Sequence, residues 1–289
     1  MGKEFVAGLS FSDTAAQIAV LELRRDRVVV VHLGEYKNGQ REELWFLESL
    51  FQSNGKLFKK VSKVSIALDN AEVVLHSFPM DSSLHHADRQ EHTQWELSNF
   101  IQDFQPKEYI NDVHVLRTHV QEHTVDMFVV VARRSLAQQV QRALGEHKYD
   151  LHLLDTNHFA GQYALAVNYP EVKEKTIILA SIAEQRLDVG TLQAGKLIAY
   201  RYFISASSEE NIKRLNEYCQ QAGVNEVYIY GSGCTLAFTK ALIAQRGLKI
   251  TTVNPFRRVP ITDALRETGI MLGQEHKFVA SVGVALRKE

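Results

Sequence analysis

The chain has 289 residues, 45% of them hydrophobic and 23% charged, a soluble globular make-up long enough for two domains or one domain with an insertion. Its 33 basic and 34 acidic residues leave a formal charge of -1, and Lys and Arg occur as pairs such as Arg24-Arg25 and Arg257-Arg258 rather than runs, which argues against nucleic acid as a partner. No apolar run has the length of a bilayer span, Met1-Gly2-Lys3-Glu4 leads into a strand pattern rather than a signal sequence, and Cys219 and Cys234 lack a C-x-x-C spacing, as expected of apolar fillers in a reducing cytosol.

Phe5 to Phe11, Ala16 to Leu23 and Val28 to Leu33 are β-branched-rich runs parted by Ser12-Asp13-Thr14 and Arg24-Arg25-Asp26-Arg27, and they predict a three-stranded meander. A helix is predicted from Arg41 to Gln52, with Leu44, Leu47, Leu50 and Phe51 on one face. Val61 to Leu68 and Val73 to Phe78 read as strands, and Pro79 closes this block. The next stretch, Met80 to Asp150, has a different pattern: a long helix from Ser83 to Phe104, an alternating pair Asp112 to Val120 and Val125 to Arg133, and a helix from Ser135 to His147. That is enough for a small inserted subdomain, with Trp95, Phe100 and Phe104 expected in its core. His85 and His92 lie about 10 Å apart along the helix axis, too far to share one metal ion. Leu151 to Leu154 resumes the first half, and Asp155 is expected to cap a helix running to Asn168.

The opening pattern recurs in Thr176 to Ile182, Leu187 to Leu192 and Lys196 to Phe203, followed by a helix that starts at Ser207, with Glu210 at capping-box spacing, and stops at Gly223. Two copies of strand-strand-strand-helix predict two similar α/β halves facing each other across a cleft. The expected division is 1–79 and 151–172 for the first lobe, 80–150 for the insert, 173–272 for the second lobe, and 273–289 for a last helix returning to the first. Within the second lobe, Val227 to Tyr230 stops at Gly231-Ser232-Gly233 and gives way to a helical pattern, Leu236, Phe238, Leu242 and Ile243, before a further run from Ile250 to Val253. Such a turn suits an anion or nucleotide at the helix start; it equally serves to turn a strand tightly into a helix.

The strand before Gly231-Ser232-Gly233, the run Val253-Asn254-Pro255-Phe256 and the terminal Val279 to Arg287 resemble the PilM family of type IV pilus assembly proteins, members of the actin-like ATPase superfamily and relatives of FtsA. The resemblance extends over nearly the whole chain, including Trp95-Glu96-Leu97, Tyr109 to Val113 and Val129 to Arg134 in the insert, and it rests on order and spacing. It implies an actin-like, ribonuclease H-like duplicated two-lobed α/β fold with a small inserted α+β subdomain. It also implies two D-x-G loops that position phosphates and magnesium. Here Ser10 and Ser12 stand in the first loop, and Ser181 and Ala183 in the second, where aspartate and glycine are expected. A hydroxyl is a poor magnesium ligand, and metal assistance is worth several kcal/mol in such chemistry. Asp13 either substitutes from three residues further on or is an exposed turn residue.

The expected site is therefore a degenerate nucleotide cleft of Ser10, Ser12, Asp13, Ser181, Gly231, Ser232 and Gly233, with no catalytic or metal-binding residue, no required cofactor, and ATP bound weakly if at all. The resemblance implies a cytoplasmic scaffold, held at the inner membrane by binding a short tail of a pilus or secretion component, with no insertion of its own and self-association left open. The alternative is an active ATPase or sugar-kinase-like phosphotransferase on the same fold.

Overall fold

The computed structural model of the chain describes residues 3–12, 15–25, 27–37, 43–245, 247–269 and 273–287, and of residues 43–46 and 48 the backbone alone. The first lobe starts with β1 (Glu4–Phe11), β2 (Ala15–Leu23) and β3 (Val28–Lys37), followed by α1 (Glu43–Ser53), α2 (Gly55–Phe58) and β4 (Lys63–Leu68). The insert holds β5 (Val74–Asp81), α3 (His86–Phe100), β6 (Tyr109–His119), β7 (Thr124–Arg133) and α4 (Arg134–Glu146). The chain then returns through β8 (Asp150–Thr156) and α5 (Asn157–Asn168). The second lobe comprises β9 (Thr176–Ile182), β10 (Arg186–Gln193), β11 (Lys196–Ile204), α6 (Ser208–Ala222), β12 (Glu226–Tyr230), α7 (Leu236–Ile243) and β13 (Lys249–Thr252), and α8 (Asp263–Glu267) and α9 (Val279–Leu286) follow. Among the described residues no helix is long and apolar enough to cross a membrane.

Two five-stranded sheets share one plan. Their orders are β3-β2-β1-β4-β8 and β11-β10-β9-β12-β13, and in each an antiparallel meander is joined to two parallel strands. This is the duplicated actin-like α/β fold. The shared plan follows from strands that are mostly apolar along their whole length: β1 and β2 are buried on both faces, as a sheet covered by helices on each side requires. In the first lobe the step from β4 to β8 carries the insert; in the second, α7 alone separates β12 from β13. α9 packs on β1, β2 and β4 and against α5. Gly8 and Gly283 let it do so, since a Cβ at either would collide with backbone of α9 or α5. One apolar core runs through both lobes, from Leu9 and Ile66 to Leu179 and Tyr230.

The structure corrects several local expectations. Val73 to Phe78 does not complete the first lobe: β5 continues through Pro79 and pairs with β7 in a third sheet, ordered β5-β7-β6. Proline is tolerated there because β5 is an outer strand with a free donor side. The long helix of the insert spans only His86–Phe100 and buries Thr93 and Leu97, so Trp95 and Phe100 fall outside the stripe and are 58% and 48% exposed. Phe104 lies beyond the helix and packs partly buried at the subdomain core. On α7, Phe238 and Leu242 are buried, whereas Leu236 and Ile243 face outward. The residue at the cap position of α5 is Thr156, and Asp155 is engaged elsewhere. The N-cap of α6 forms as spaced, with the Glu210 N–H donating to Ser207 Oγ at 3.2 Å; the Glu210 carboxylate reaches back one residue further, accepting from the Ala206 N–H at 3.0 Å, and Gly223 closes the helix at φ +65°. The predicted first helix begins at Arg41, which lies outside the described residues.

Candidate functional site: an interlobe cleft and a neighbouring groove

The first two strands of each meander are joined by the same closing backbone bond. The Ser12 N–H donates to the Ala15 carbonyl at 2.9 Å in one, and the Ala183 N–H to the Arg186 carbonyl at 2.9 Å in the other. Register pairs Ser10 with Gln17 and Ser181 with Asp188 across the strands. These hairpins, with Gly231 and Ser232, line a recess between the lobes of about 40 Å³. Ser10, Ser12, Ser181, Gly231 and Ser232 are thus brought together; Gly233 is set back from it, and Asp13 lies outside the described residues. The glycines have a local duty: Gly231 sits at φ +108°, and a Cβ on it would meet the Ile182 carbonyl at 2.5 Å. The Gly233 N–H donates to that same carbonyl at 2.9 Å, so the turn is held against the end of β9.

The cleft also holds groups that the sequence reading missed. Asp188, directly opposite Ser181, is buried and gripped by Arg186, whose Nε donates at 3.0 and 3.1 Å, and by the Tyr200 hydroxyl. Burial and then the Asp188 carboxylate push the Tyr200 phenol well above its ordinary value. Asp69 and Asn70 lie on the opposite wall, where Asp69 Oδ1 accepts from the Ala71 N–H at 2.9 Å and Asn70 Oδ1 from the His158 N–H at 3.2 Å. Lys277 is paired with both oxygens of Glu35 at 3.1 Å. The two loop positions hold Ser10 and Ser181 as the sequence has them, and the cleft's carboxylates come from elsewhere: Asp188, seven residues beyond Ser181 and neutralised by the protein's own guanidinium, and Asp69 on the opposite wall. The spacing alone carried the signal, because Ser10 to Gln17 and Ser181 to Asp188 are equal steps between cross-strand partners.

Magnesium nucleotide does not fit this set. The recess, about 40 Å³, has room for about one or two waters. Its hydroxyls are weak cation ligands, and its buried carboxylate is already satisfied. Among the described residues, no three His, Cys, Asp or Glu are grouped so as to hold a metal ion. Both cysteines are buried, which pushes the Cys219 thiol up to about 12 and raises Cys234 as well, so neither is a nucleophile.

A larger cavity, about 170 Å³, opens between the first lobe and the insert. Leu68, Leu154 and Phe159 face Ile110 and Val130 across it, and Asp112, His114, Asp155 and Arg287 supply its polar groups. β6 lines one wall and is an outer strand, paired among the described residues with β7 only. Asp155 Oδ1 accepts from the Thr156 N–H at 2.8 Å, and its other oxygen is paired with Arg287. Burial pushes the Asp155 carboxyl up, against the pull of Arg287, the Thr156 N–H and His114.

The end of β8 and the first turn of α5 form the wall between the two cavities. Asp155, Thr156 and Phe159 face the groove, while Asn157 faces the cleft. Asn157 Nδ2 donates to the Phe11 carbonyl at 2.6 Å, and the Asn157 carbonyl accepts from the Tyr230 hydroxyl at 2.8 Å, so one residue ties both lobes. His158 behind it is buried, neither ring nitrogen has a hydrogen-bond partner among the described residues, and burial lowers its pKa to about 4.

No protein-family model matches the sequence, and no curated protein matches it. Solved structures match the fold. A chain of the PilM–PilN type IV pilus biogenesis complex aligns with a TM-score of 0.76 over 98% of both chains at 19% identity. A protein of actin-like ATPase fold and unknown function from Bacteroides thetaiotaomicron aligns at 0.58 over 87% of this chain and 91% of its own, at 12% identity. The cytoplasmic domain of EpsL, an inner-membrane component of the type II secretion system of Vibrio cholerae, aligns at 0.54 over 87% and 90%, at 15% identity. At these identities the likeness is one of fold, and the resemblance carried by the residues is matched by it.

Proposed function

We propose that this actin-like chain is a cytoplasmic adaptor that binds the cytoplasmic tail of an inner-membrane pilus or secretion component and does not turn over ATP. The observation that carries the reading is the contrast between a recess of about 40 Å³ in the nucleotide position and an adjoining groove of about 170 Å³. The groove has apolar walls and an outer strand along one side, features that suit an extended peptide. Further support comes from the company the fold keeps, a pilus biogenesis complex and the cytoplasmic part of a secretion component. The adaptor itself needs no membrane segment in this scheme, because the tail's owner supplies the anchor.

The test is co-purification of the tagged chain with membrane-anchored pilus or secretion components from its own cells, beside surface assembly in a deletion strain. Recovery of such a component through its cytoplasmic tail, with assembly lost on deletion, supports the reading. Recovery of none, with assembly intact, contradicts it. An ATPase or sugar-kinase-like phosphotransferase is the second reading, and Asp69 and Asp188 on the cleft wall are what favour it. It requires turnover of magnesium ATP that falls when Asp188 is changed to Asn.

A further inference from the structure

The groove carries a charge pattern that bears on its occupant. Two carboxylates, Asp112 and Asp155, face one guanidinium, that of Arg287, so the cavity holds one formal negative charge more than positive apart from His114. The two carboxylates differ in setting. Asp112 is exposed at the mouth, 3.2 Å from His114 Nε2, whereas the Asp155 side chain is only 7% exposed and depends on a cation beside it. That cation comes from the residue following α9, where the backbone has turned extended and the side chain reaches across to the end of β8. The Arg287 side chain is 34% exposed, so it lies at the boundary with solvent rather than behind the groove wall.

We propose that Arg287 is a resident occupant of an anionic subsite, and that the bound tail carries a basic residue, set between apolar ones, that takes its place on Asp155. The proposal rests on the groove being the tail's seat. The exchange conserves the ion pair, because one cation replaces another on Asp155 in the bound state and the released guanidinium moves into water, so the contacts of the apolar flanks decide the affinity. Asp112 at the mouth gives an incoming cation an attractive path. The apolar walls then select the flanks, so a free cation or an acidic segment is disfavoured against an apolar segment with a single Lys or Arg. In the unliganded chain the same pair keeps the subsite closed, which lowers apparent affinity by the fraction of time Arg287 is in place.

A bead-displayed library of random octapeptides tests this, selected separately against the wild-type chain and Arg287→Gln, with folding followed by circular dichroism. The expected result is enrichment of Arg or Lys at one position between apolar residues. Selected peptides are expected to bind Arg287→Gln about tenfold more tightly, as when a competitor present about nine-tenths of the time is removed. The double variant Asp155→Asn with Arg287→Gln, which leaves no buried carboxylate unpaired, is expected to lose the basic preference. Arg287→Lys should fall between wild type and Arg287→Gln, and it serves if Arg287→Gln does not fold. Apolar octapeptides that are lost on Phe159→Ala but indifferent to every change at Arg287 overturn the proposal and leave the groove as the tail's seat. Selections indifferent to Phe159→Ala overturn both.

Discussion

The interlobe cleft and the inter-subdomain groove share one wall, the end of β8 and the first turn of α5, yet they are filled by different means. In the cleft the protein supplies its own counter-charges: Arg186 holds Asp188, Tyr200 completes the carboxylate's shell, and Lys277 is spent on Glu35. In the groove the buried Asp155 is paired with Arg287, the exposed Asp112 stands beside His114, and both lie along apolar walls that line an open cavity. The difference teaches that two neighbouring cavities of one fold can be built oppositely, one with polar groups turned inward on each other and one with apolar walls open beside a single buried carboxylate. If the adaptor reading holds, recognition belongs to the second, where burial of apolar area drives association and charge selects the partner.

The comparison is broken most directly at Arg186. Arg186→Ala leaves the buried Asp188 carboxylate without its cation, and denaturant titration is expected to show a loss of about 3–5 kcal/mol, whereas replacing both by apolar residues of similar volume costs far less. An unchanged midpoint for Arg186→Ala would mean that the pair does not close the cleft. The next effect is a pH dependence at the shared wall. His158 titrates near 4 in the folded chain and near its ordinary value when unfolded, so between about pH 6.5 and 4 the unfolded state binds the extra proton. Stability is therefore full above this window and falls through it by up to about 3 kcal/mol, and His158→Leu is expected to flatten that slope.

Smaller changes sharpen the contrast. Phe159→Ala removes an apolar face of the groove and is expected to weaken tail binding by about 2 kcal/mol, roughly 30-fold, with no effect on the Arg186 network. Tail affinity measured by calorimetry checks this, and an unchanged value would place the tail elsewhere. Ser207→Ala deletes the cap of α6, away from both cavities, and is expected to cost about 1 kcal/mol in stability while leaving tail affinity alone.

What the sequence makes legible is local. The two meanders announce themselves by β-branched runs, and the ends of α6 by Ser207, Glu210 and Gly223, because each signal acts within one turn of chain. Even Trp95 and Phe100, which look like core, are misplaced by periodicity alone, since the stripe through Thr93 and Leu97 is set by how α3 lies on its sheet. The cleft was half legible. Ser10, Ser12, Ser181, Gly231 and Ser232 meet as their order suggests, but Asp188 and Arg186 enter through hairpin register, and Tyr200 through the next strand. Asp155 and Arg287 are 132 positions apart and share no pattern, so only the return of α9 onto the first sheet brings them together.

The central claim is that the nucleotide position is closed by the protein's own side chains. Calorimetric titration of the wild-type chain with magnesium ATP tests it most directly. The account predicts no saturable heat at millimolar nucleotide and no turnover. Tight, saturable binding with a divalent cation held by cleft carboxylates would contradict it.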